Sequence, residues 1–555
     1  MAHVLIVGAG PTGLTLALSL TQNGIPVRIV EKLSIPSDSQ RGTGQMPRTL
    51  EIWKFMGILD DILEAGRPII PMKQYDKEGK VTKVQSVVMG DHTPTPAIPW
   101  RDAYIIGQET AARVLSEHLS KLGVNVEFGS ELVGLQQHET HVTASVKKGS
   151  QAETQTFDVK YVVGTDGARG VVRKMIGLEL LGETKQDVTW AVGDVRLRGL
   201  DLYHWHNFGD APGDVVSLLP TKRAFTEDLF FCVCMGSRED MEKAVNDKEH
   251  FIKFIRKVSC KPDLEIREVK SVALYRPNNT RVVKTFNEGR VFLAGDAAHV
   301  HSSTGGQGLN SGIMDAFNLG WKLALVIKGL SPSSLLDTYT EERLPVIQDM
   351  LRRTQELLKK TMDPNRKESA LLRPQVLQQL GVNYRSSSIV VDDTQDEETA
   401  KQTITSAYET DDVLRAGVRA PDAPELRVLS GSPTTTTRLF DIFHSTHHTV
   451  LFLLHKTGSD VEADIPAVLD VLSRIQSDVA RTVAIYAKGS TPDSNDTVKR
   501  ADVVLEDRAG HTFDAYGSEE GESRIVVVRP DGYVGAIVKN AEGVRRYLGK
   551  VFVGF

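Results

Sequence analysis

The chain has 555 residues, 40% hydrophobic, 25% charged and 6% aromatic, with a formal net charge of -6. That length exceeds one ordinary core, so two or three domains are expected, and a charge spread along the chain argues against a nucleic-acid binder. Three cysteines, Cys232, Cys234 and Cys260, cannot build a disulfide framework and have no neighbours at metal-ligand spacing, so no metal is expected and a reducing, cytoplasmic compartment is the default.

In chain order, His3 to Lys32 reads strand, Gly-rich turn, helix, turn, strand. Val4 to Val7 is a short apolar run of the kind a parallel strand covered on both faces requires; lacking a basic flank and running into Gly8, it is not a signal peptide. The turn is Gly8-Ala9-Gly10-Pro11-Thr12-Gly13. Gly8 allows the tight turn, Gly10 lets backbone approach a pyrophosphate, and Gly13 permits close packing of helix on strand. Glu31 closes the second strand, where a carboxylate accepts hydrogen bonds from adenosine ribose hydroxyls and repels a 2′-phosphate. The pocket therefore suits FAD or NAD rather than NADP.

A helix follows from Gln108 to Gly123, with Ala112, Leu115, Leu119 and Leu122 at helical spacing. Tyr161 to Thr165 is a further strand, and Asp166-Gly167-Ala168-Arg169 carries a carboxylate and a guanidinium to its end. From about Asp187 to Glu288 short alternating runs broken by Gly, Pro and Asn predict a mostly antiparallel sheet inserted between two halves of a nucleotide domain. Within it Cys232 and Cys234 share one face of a strand and read as packing residues.

The buried strand Val291 to Leu293 then delivers Gly295-Asp296-Ala297-Ala298-His299 to the carboxyl edge of the sheet, where open α/β folds bind ligands. Asp296 is placed to accept hydrogen bonds from a polyol such as a ribityl chain. The loop Gly305-Gly306-Gln307-Gly308 has no bulky side chains to block a flat ring, and a helix from about Leu309 buries Ile313, Ala316, Phe317, Gly320 and Ala324. The positive end of that helix stabilises an anionic reduced ring by about 0.3–1 kcal/mol, more when buried. The segment Leu319 to Leu330 contains Lys322 and Lys328 and is too short to span a bilayer. Beyond a polar linker, the runs Val450–Lys456, Thr482–Lys488, Ala501–Asp507 and Arg524–Val538 predict strands and Ile465–Ile475 and Ala541–Val551 predict helices, a separate α/β domain.

Together GAGPTG, PRTLE (Pro47 to Glu51), GTDGARGVVR (Gly164 to Arg173), GRVFLAGDAAHVHSSTGGQGLNSGIMDAFNLGWKLA, YTEERLP (Tyr339 to Pro345) and NYRSS (Asn383 to Ser387) resemble the single-component FAD-dependent aromatic hydroxylases, the para-hydroxybenzoate hydroxylase and phenol hydroxylase family. The resemblance implies an α/β, Rossmann-like FAD-binding domain in two parts, 1–186 and 289–391, with a substrate-binding sheet inserted at 187–288. It implies a linker at 392–412 and a thioredoxin-like domain at 413–555, which has no cysteine for dithiol chemistry and would serve structure or a homodimer contact.

By the same resemblance Gly8, Gly10, Gly13 and Glu31 bind the ADP part of FAD, Arg41 and Gln108 reach its pyrophosphate or ribityl region, and Asp296 binds the ribityl chain. Gly308, Leu309 and Asn310 face the ring, and Asp166 is associated with both FAD and the NADPH or NADH co-substrate. The family activity is O2-dependent hydroxylation of a phenolic or polyketide-like aromatic through a flavin C(4a)-hydroperoxide. Baeyer–Villiger, epoxidising or dehydrogenating chemistry and a non-catalytic flavin protein are the alternatives. Candidate substrate contacts are Tyr203, His204, Trp205 and His206, with one His as base for a phenol, together with Tyr275, Arg281 and Gln45. Two departures stand out: Ser302 and Ser303 replace the family's Pro beside the reacting carbon, and Gly170 replaces the usual Ser after the Asp-Gly pair.

Overall fold

The computed structural model describes residues 2–86, 92–149, 154–184, 189–211, 213–276, 279–301, 305–363, 375–395, 406–408, 413–429, 436–455, 459–490, 500–517 and 523–555. Ser302 and Ser303, and most of the expected linker, lie outside the described residues.

The first sheet has the spatial order Asn287–Glu288, Val291–Leu293, Tyr161–Gly164, Val4–Val7, Val27–Glu31, Glu127–Phe128. All pairs except the first are parallel, and Val4 to Val7 are buried throughout, as expected of a strand covered on both faces. The helices Pro11–Gln22 and Gln307–Ile327 pack on one another, so the first βαβ turn and the chain after Leu293 meet although nearly 300 residues separate them.

The second sheet is the inserted one, and it draws on more of the chain than the sequence pattern suggested. Its order is Glu265–Tyr275, Trp190–Arg198, Leu229–Met235, Val215–Pro220, Trp205–Gly209, Met72–Tyr75, Val81–Gln85. The last two strands come from the part assigned to the nucleotide domain, and Met72–Tyr75 runs parallel to Trp205–Gly209. Conversely Asn287–Glu288, placed at the end of the insertion, belongs to the first sheet. Short polar strands such as Val81–Gln85 lack a buried face and carry little periodic signal.

Two helices, Arg238–Asn246 and Lys248–Ser259, cover one face of the inserted sheet. Ala191, Val195, Leu197, Val216, Leu218, Phe230, Cys232 and Cys234 form the core beneath them. The two cysteines are buried with their Sγ atoms 3.6 Å apart, while Cys260 is exposed.

The C-terminal domain is built on an eight-stranded sheet in the order Val391–Asp392, Val534–Val538, Arg524–Val528, His448–Leu454, Ala480–Ala487, Val503–Asp507, Leu426–Val428, Thr436–Thr437. Its first strand begins one residue before the expected linker, and Arg524–Val538 forms a hairpin of two strands. The domain docks through buried charge. Glu51 accepts from Arg48 at 2.6 Å and from Arg419 at 2.9 Å, and Glu342 accepts from Arg529 and Lys322, both at 2.7 Å. Among the described residues no helix is long and apolar enough to cross a membrane.

Candidate active site

The turn after Val4–Val7 is as tight as its glycines imply. Gly8 has a φ of +106°, and a side chain on it would press against the Thr165 carbonyl oxygen at 2.6 Å; a side chain on Gly13 would overlap the Gly8 carbonyl. A methyl group on Gly10, by contrast, would meet nothing within 4 Å, because Gly10 borders a cavity of about 1140 Å³. Glu31 and Gln108 line the same cavity. The Glu31 carboxylate accepts from the Ala9 N–H at 2.9 Å and the Leu33 N–H at 3.0 Å, so it also clasps the turn it faces. No side chain caps the helix that starts at Pro11, which leaves its first N–H groups for an anion.

At the other end, Thr12 is wedged between Gly295 and Gly312. Its hydroxyl would touch a side chain on the former at 2.7 Å and overlap one on the latter, so the Gly295-Asp296 turn and the second helix close directly onto the first. Asp296 stands exposed at this junction. The helix Gln307–Ile327 begins at Gly306, whose φ of +68° suits glycine, and again no side chain caps it. Gly42 sits between Gln108 and Leu309, a side chain on it falling 3.1 Å from the one and 3.4 Å from the other. Gln108, which lines the cavity, and the foot of the Leu309 helix thus meet at Gly42. The His301 ring packs against Gly308 there.

Three of the expected cofactor residues stand differently. The Asn310 amide is fully engaged: its oxygen accepts from Met46 N–H at 2.8 Å and the Thr49 hydroxyl at 2.7 Å, and its nitrogen donates to the Gly44 and Gly306 carbonyls at 2.9 and 2.7 Å. It pins the PRTLE helix to the loop instead of presenting its side chain to a ring. Arg41 is exposed and makes no hydrogen bond or ion pair among the described residues. Asp166 turns inward to cap the short helix Val172–Met175, accepting from Val171 N–H at 2.6 Å and Val172 N–H at 3.0 Å. Burial pushes its carboxyl up despite those two amides, and its other oxygen is buried without a partner.

The inserted sheet turns its second face toward this junction. Along Leu229–Met235 the residues under the helices are buried, whereas Phe231, Val233 and Met235 are only half-buried. Cross-strand register puts Trp190, Val192 and Asp194 on that open face with Tyr275, Ala273 and Ser271. Tyr275 donates to the His301 carbonyl at 2.9 Å, and Arg281 pairs in register with Val300, so the Tyr275 end of the open face abuts the loop before Gly305. At its other end Asp194 holds Gln40.

The structure does not bring Tyr203, His204 and His206 to this face. His206 lies under the helices, its Nδ1 paired with the Tyr75 hydroxyl at 2.8 Å and its Nε2 with the Asp201 carbonyl at 2.8 Å. Burial lowers its pKa, and neither ring nitrogen is left for a substrate proton. His204 is tied to the Asp201 carboxylate at 2.7 Å in the preceding turn, and Tyr203 is 67% exposed. Gln45 is buried behind the loop with its oxygen accepting from Trp53. Trp205, the fourth candidate of this stretch, alternates with His206 and shares the open face with Asn207; a single strand does not reveal which parity faces the helices. Asp194 and Trp190 were missed because an isolated acid or tryptophan in an alternating strand carries no motif.

Open space at Gly10, two uncapped helix starts and an exposed Asp296 at the strand end fit a dinucleotide with a polyol segment. The comparisons agree. A family model described as an FAD binding domain matches residues 1–354, and one described as the phenol hydroxylase C-terminal dimerisation domain matches residues 473–555. The chain is 34% identical over 550 residues to a flavin-dependent monooxygenase of Mycobacteroides abscessus, covering 99% of each. It is 33% identical over 347 residues to a 6-methylpretetramide 4-monooxygenase of Streptomyces rimosus, covering 62% of this chain and 59% of that one. The fold is shared with the flavin-dependent monooxygenase PieE, solved with FAD and substrate, at a TM-score of 0.80 and 22% identity over 99% of this chain and 98% of that one. The chain belongs to the FAD-dependent aromatic monooxygenases and is a flavoprotein oxidoreductase.

Proposed function

We propose that this enzyme hydroxylates a phenolic or polyketide-like polycyclic aromatic, with NADPH or NADH as reductant and O2 as oxidant. The overall reaction balances as substrate C–H + O2 + NAD(P)H + H⁺ giving substrate C–OH + H2O + NAD(P)⁺. Bound FAD supplies the two-electron redox chemistry and the activation of oxygen.

The observation that carries the reading is the half-buried apolar strip Phe231, Val233 and Met235, on the face whose Tyr275 end meets the loop leading into the Leu309 helix. A flat apolar substrate on that strip would lie beside the loop that leads into the Leu309 helix. The turn shaped by Gly8 and Gly13 would present Gly10 to the pyrophosphate, with Glu31 at the adenosine ribose and Asp296 at the ribityl chain. The first-turn N–H groups of Gly308 and Leu309 would stabilise negative charge on the ring. The Streptomyces rimosus relative is a 6-methylpretetramide 4-monooxygenase, and that name supports a polyketide-like aromatic substrate.

The C-terminal domain supports a thioredoxin-like reading. Its strands Val503–Asp507, Ala480–Ala487 and His448–Leu454 are parallel, followed by the antiparallel Arg524–Val528 and Val534–Val538, with the helix Asp460–Leu472 after the central strand. Together with the dimerisation-domain match it supports a homodimer.

The test is purification under gentle conditions, an aromatic screen for stimulated NAD(P)H oxidation, and product mass after reaction under ¹⁸O2. One labelled oxygen in the product is expected; product without label rejects hydroxylation. Gly10→Val adds the cofactor arm: the side chain points into open space, so the apoprotein should unfold as wild type does while FAD content falls at least about tenfold, the equivalent of ~1.4 kcal/mol.

A further inference from the structure

From the arrangement of the inserted sheet we infer that the indole N–H of Trp190 is the hydrogen-bond donor that holds an oxygen substituent of the aromatic substrate, an assignment that rests on the hydroxylase reading above.

Trp190 begins the strand Trp190–Arg198. Ala191, Val195 and Leu197 of this strand enter the core beneath the helices, so the alternate residues Trp190, Val192 and Asp194 occupy the opposite face. In register, Trp190 lies between Met235 and Tyr275, and the Trp190 and Tyr275 ring centroids are 6.1 Å apart. Tyr275 donates its hydroxyl proton to the His301 carbonyl, which places this end of the sheet beside the loop that precedes Gly305. Trp190 is therefore the tryptophan on the apolar strip at the cofactor end.

Its indole nitrogen is buried and has no hydrogen-bond partner among the described residues, the residue as a whole being 7% exposed. That is unusual for this protein. Trp53 donates to Gln45 at 3.1 Å, Trp205 to the Ser217 hydroxyl at 2.7 Å and Trp321 to Asp531 at 3.2 Å. Buried donors are satisfied as a rule, and an orphan is a functional clue when it lies on a binding face. An indole donates and cannot accept, so the atom it selects is a carbonyl, ether, phenol or phenolate oxygen. A site built to meet such an oxygen discriminates against the analogue lacking it, because the buried donor is then left unpaired. Trp190 thus sets which edge of a flat substrate faces Tyr275 and which carbon is presented to the cofactor.

Trp190→Phe keeps a flat apolar ring and removes the N–H. Flavin-loaded wild type and variant are titrated with 1-naphthol, 1-methoxynaphthalene and naphthalene, with binding read from the perturbation of visible flavin absorbance. Wild type is expected to bind the two oxygenated probes about tenfold more tightly than naphthalene. The variant is expected to bind all three alike, at naphthalene's affinity, with unchanged flavin content and thermal midpoint. A variant that keeps the wild-type preference overturns the assignment and leaves the hydroxylase reading intact. The methoxy probe, which only accepts, needs no variant: wild type binding 1-naphthol tightly but 1-methoxynaphthalene no better than naphthalene overturns the assignment too. If none of the three binds while NAD(P)H still reduces the flavin, both the assignment and the aromatic-substrate reading fall.

Discussion

Asp194 grips Gln40 at two points: its carboxylate accepts from the Gln40 backbone N–H at 3.2 Å and from the Gln40 side-chain amide at 3.1 Å. The same carboxylate accepts from the Ser271 hydroxyl at 2.7 Å, and the Gln40 side-chain oxygen Oε1 accepts from the Thr221 hydroxyl. Asp194 and Gln40 are both buried, so this cluster fixes the segment carrying Arg41 and Gly42 against the inserted sheet. Asp194→Ala leaves a buried amide and hydroxyl unpaired at a cost of about 1–3 kcal/mol. The variant should therefore unfold at lower urea, and a smaller share of its NAD(P)H oxidation should yield product, with the remainder appearing as hydrogen peroxide. Equal coupling in wild type and variant would show that the clamp serves stability alone.

Gly170 illustrates a departure from the family whose consequence is steric. A side chain there would overlap the Asp166 carboxylate as it caps Val171 and Val172. Gly170→Ser, which restores the common family residue, should displace Asp166 and expose two backbone donors, lowering stability by about 1–3 kcal/mol. Differential scanning calorimetry of the apoprotein checks this without reference to the cofactor. A gain in stability would mean that Asp166 rotates to use the new hydroxyl.

Glu51 lies between Arg48 and Arg419, with all three side chains buried, and Arg48 also donates to the Asp531 carbonyl at 2.7 Å. This arrangement joins the PRTLE helix to the C-terminal domain. Glu51→Gln removes the only charge that faces both guanidinium groups in these pairs, and breaking a buried ion pair from one side costs about 3–5 kcal/mol. The expected outcome is an early calorimetric transition for separation of the C-terminal domain, resolved from the main one. A single cooperative transition at the wild-type temperature would refute the role of Glu51 in docking.

How far the chain announced this arrangement depended on the kind of signal. The turn from Gly8 to Gly13 and the Gly295-Asp296 turn were legible because backbone geometry demands glycine there, and the buried parallel strands because they are continuously apolar. The Gln307 helix was legible from its buried stripe. The open face of the inserted sheet was not, since side-chain alternation names two faces without saying which one the helices Arg238–Asn246 and Lys248–Ser259 will cover; His206, a candidate by residue type, lies buried against Tyr75. Nor was the inward turn of Asp166, or the use of Asn310 as a clamp, because both depend on partners distant in the chain: Asn310 spends its amide on Gly44, Met46 and Thr49.

Asp315 ties the Gly295-Asp296 turn to the protein interior and gives a pH dependence with a definite sign. Its carboxylate accepts from Gly295 N–H at 3.0 Å, from His299 Nε2 at 2.7 Å and from Arg343 Nε at 2.7 Å. Burial pushes its carboxyl up, but the Arg343 guanidinium and His299 outweigh burial and bring it down to about 2 from the ordinary 3.8. Because the folded pKa is depressed, the stabilisation is fully present above the unfolded value and is lost as pH falls through about 2, a contribution of about 2 kcal/mol. Asp315→Asn strands the buried Arg343 charge, so at neutral pH it should cost about 3–5 kcal/mol. The gap between wild type and Asp315→Asn, measured by urea unfolding from pH 7 downward, should hold steady to about pH 4 and narrow below it. A gap that stays constant to the lowest measurable pH, or widens, would show that Asp315 does not carry its charge against Arg343 in the folded protein.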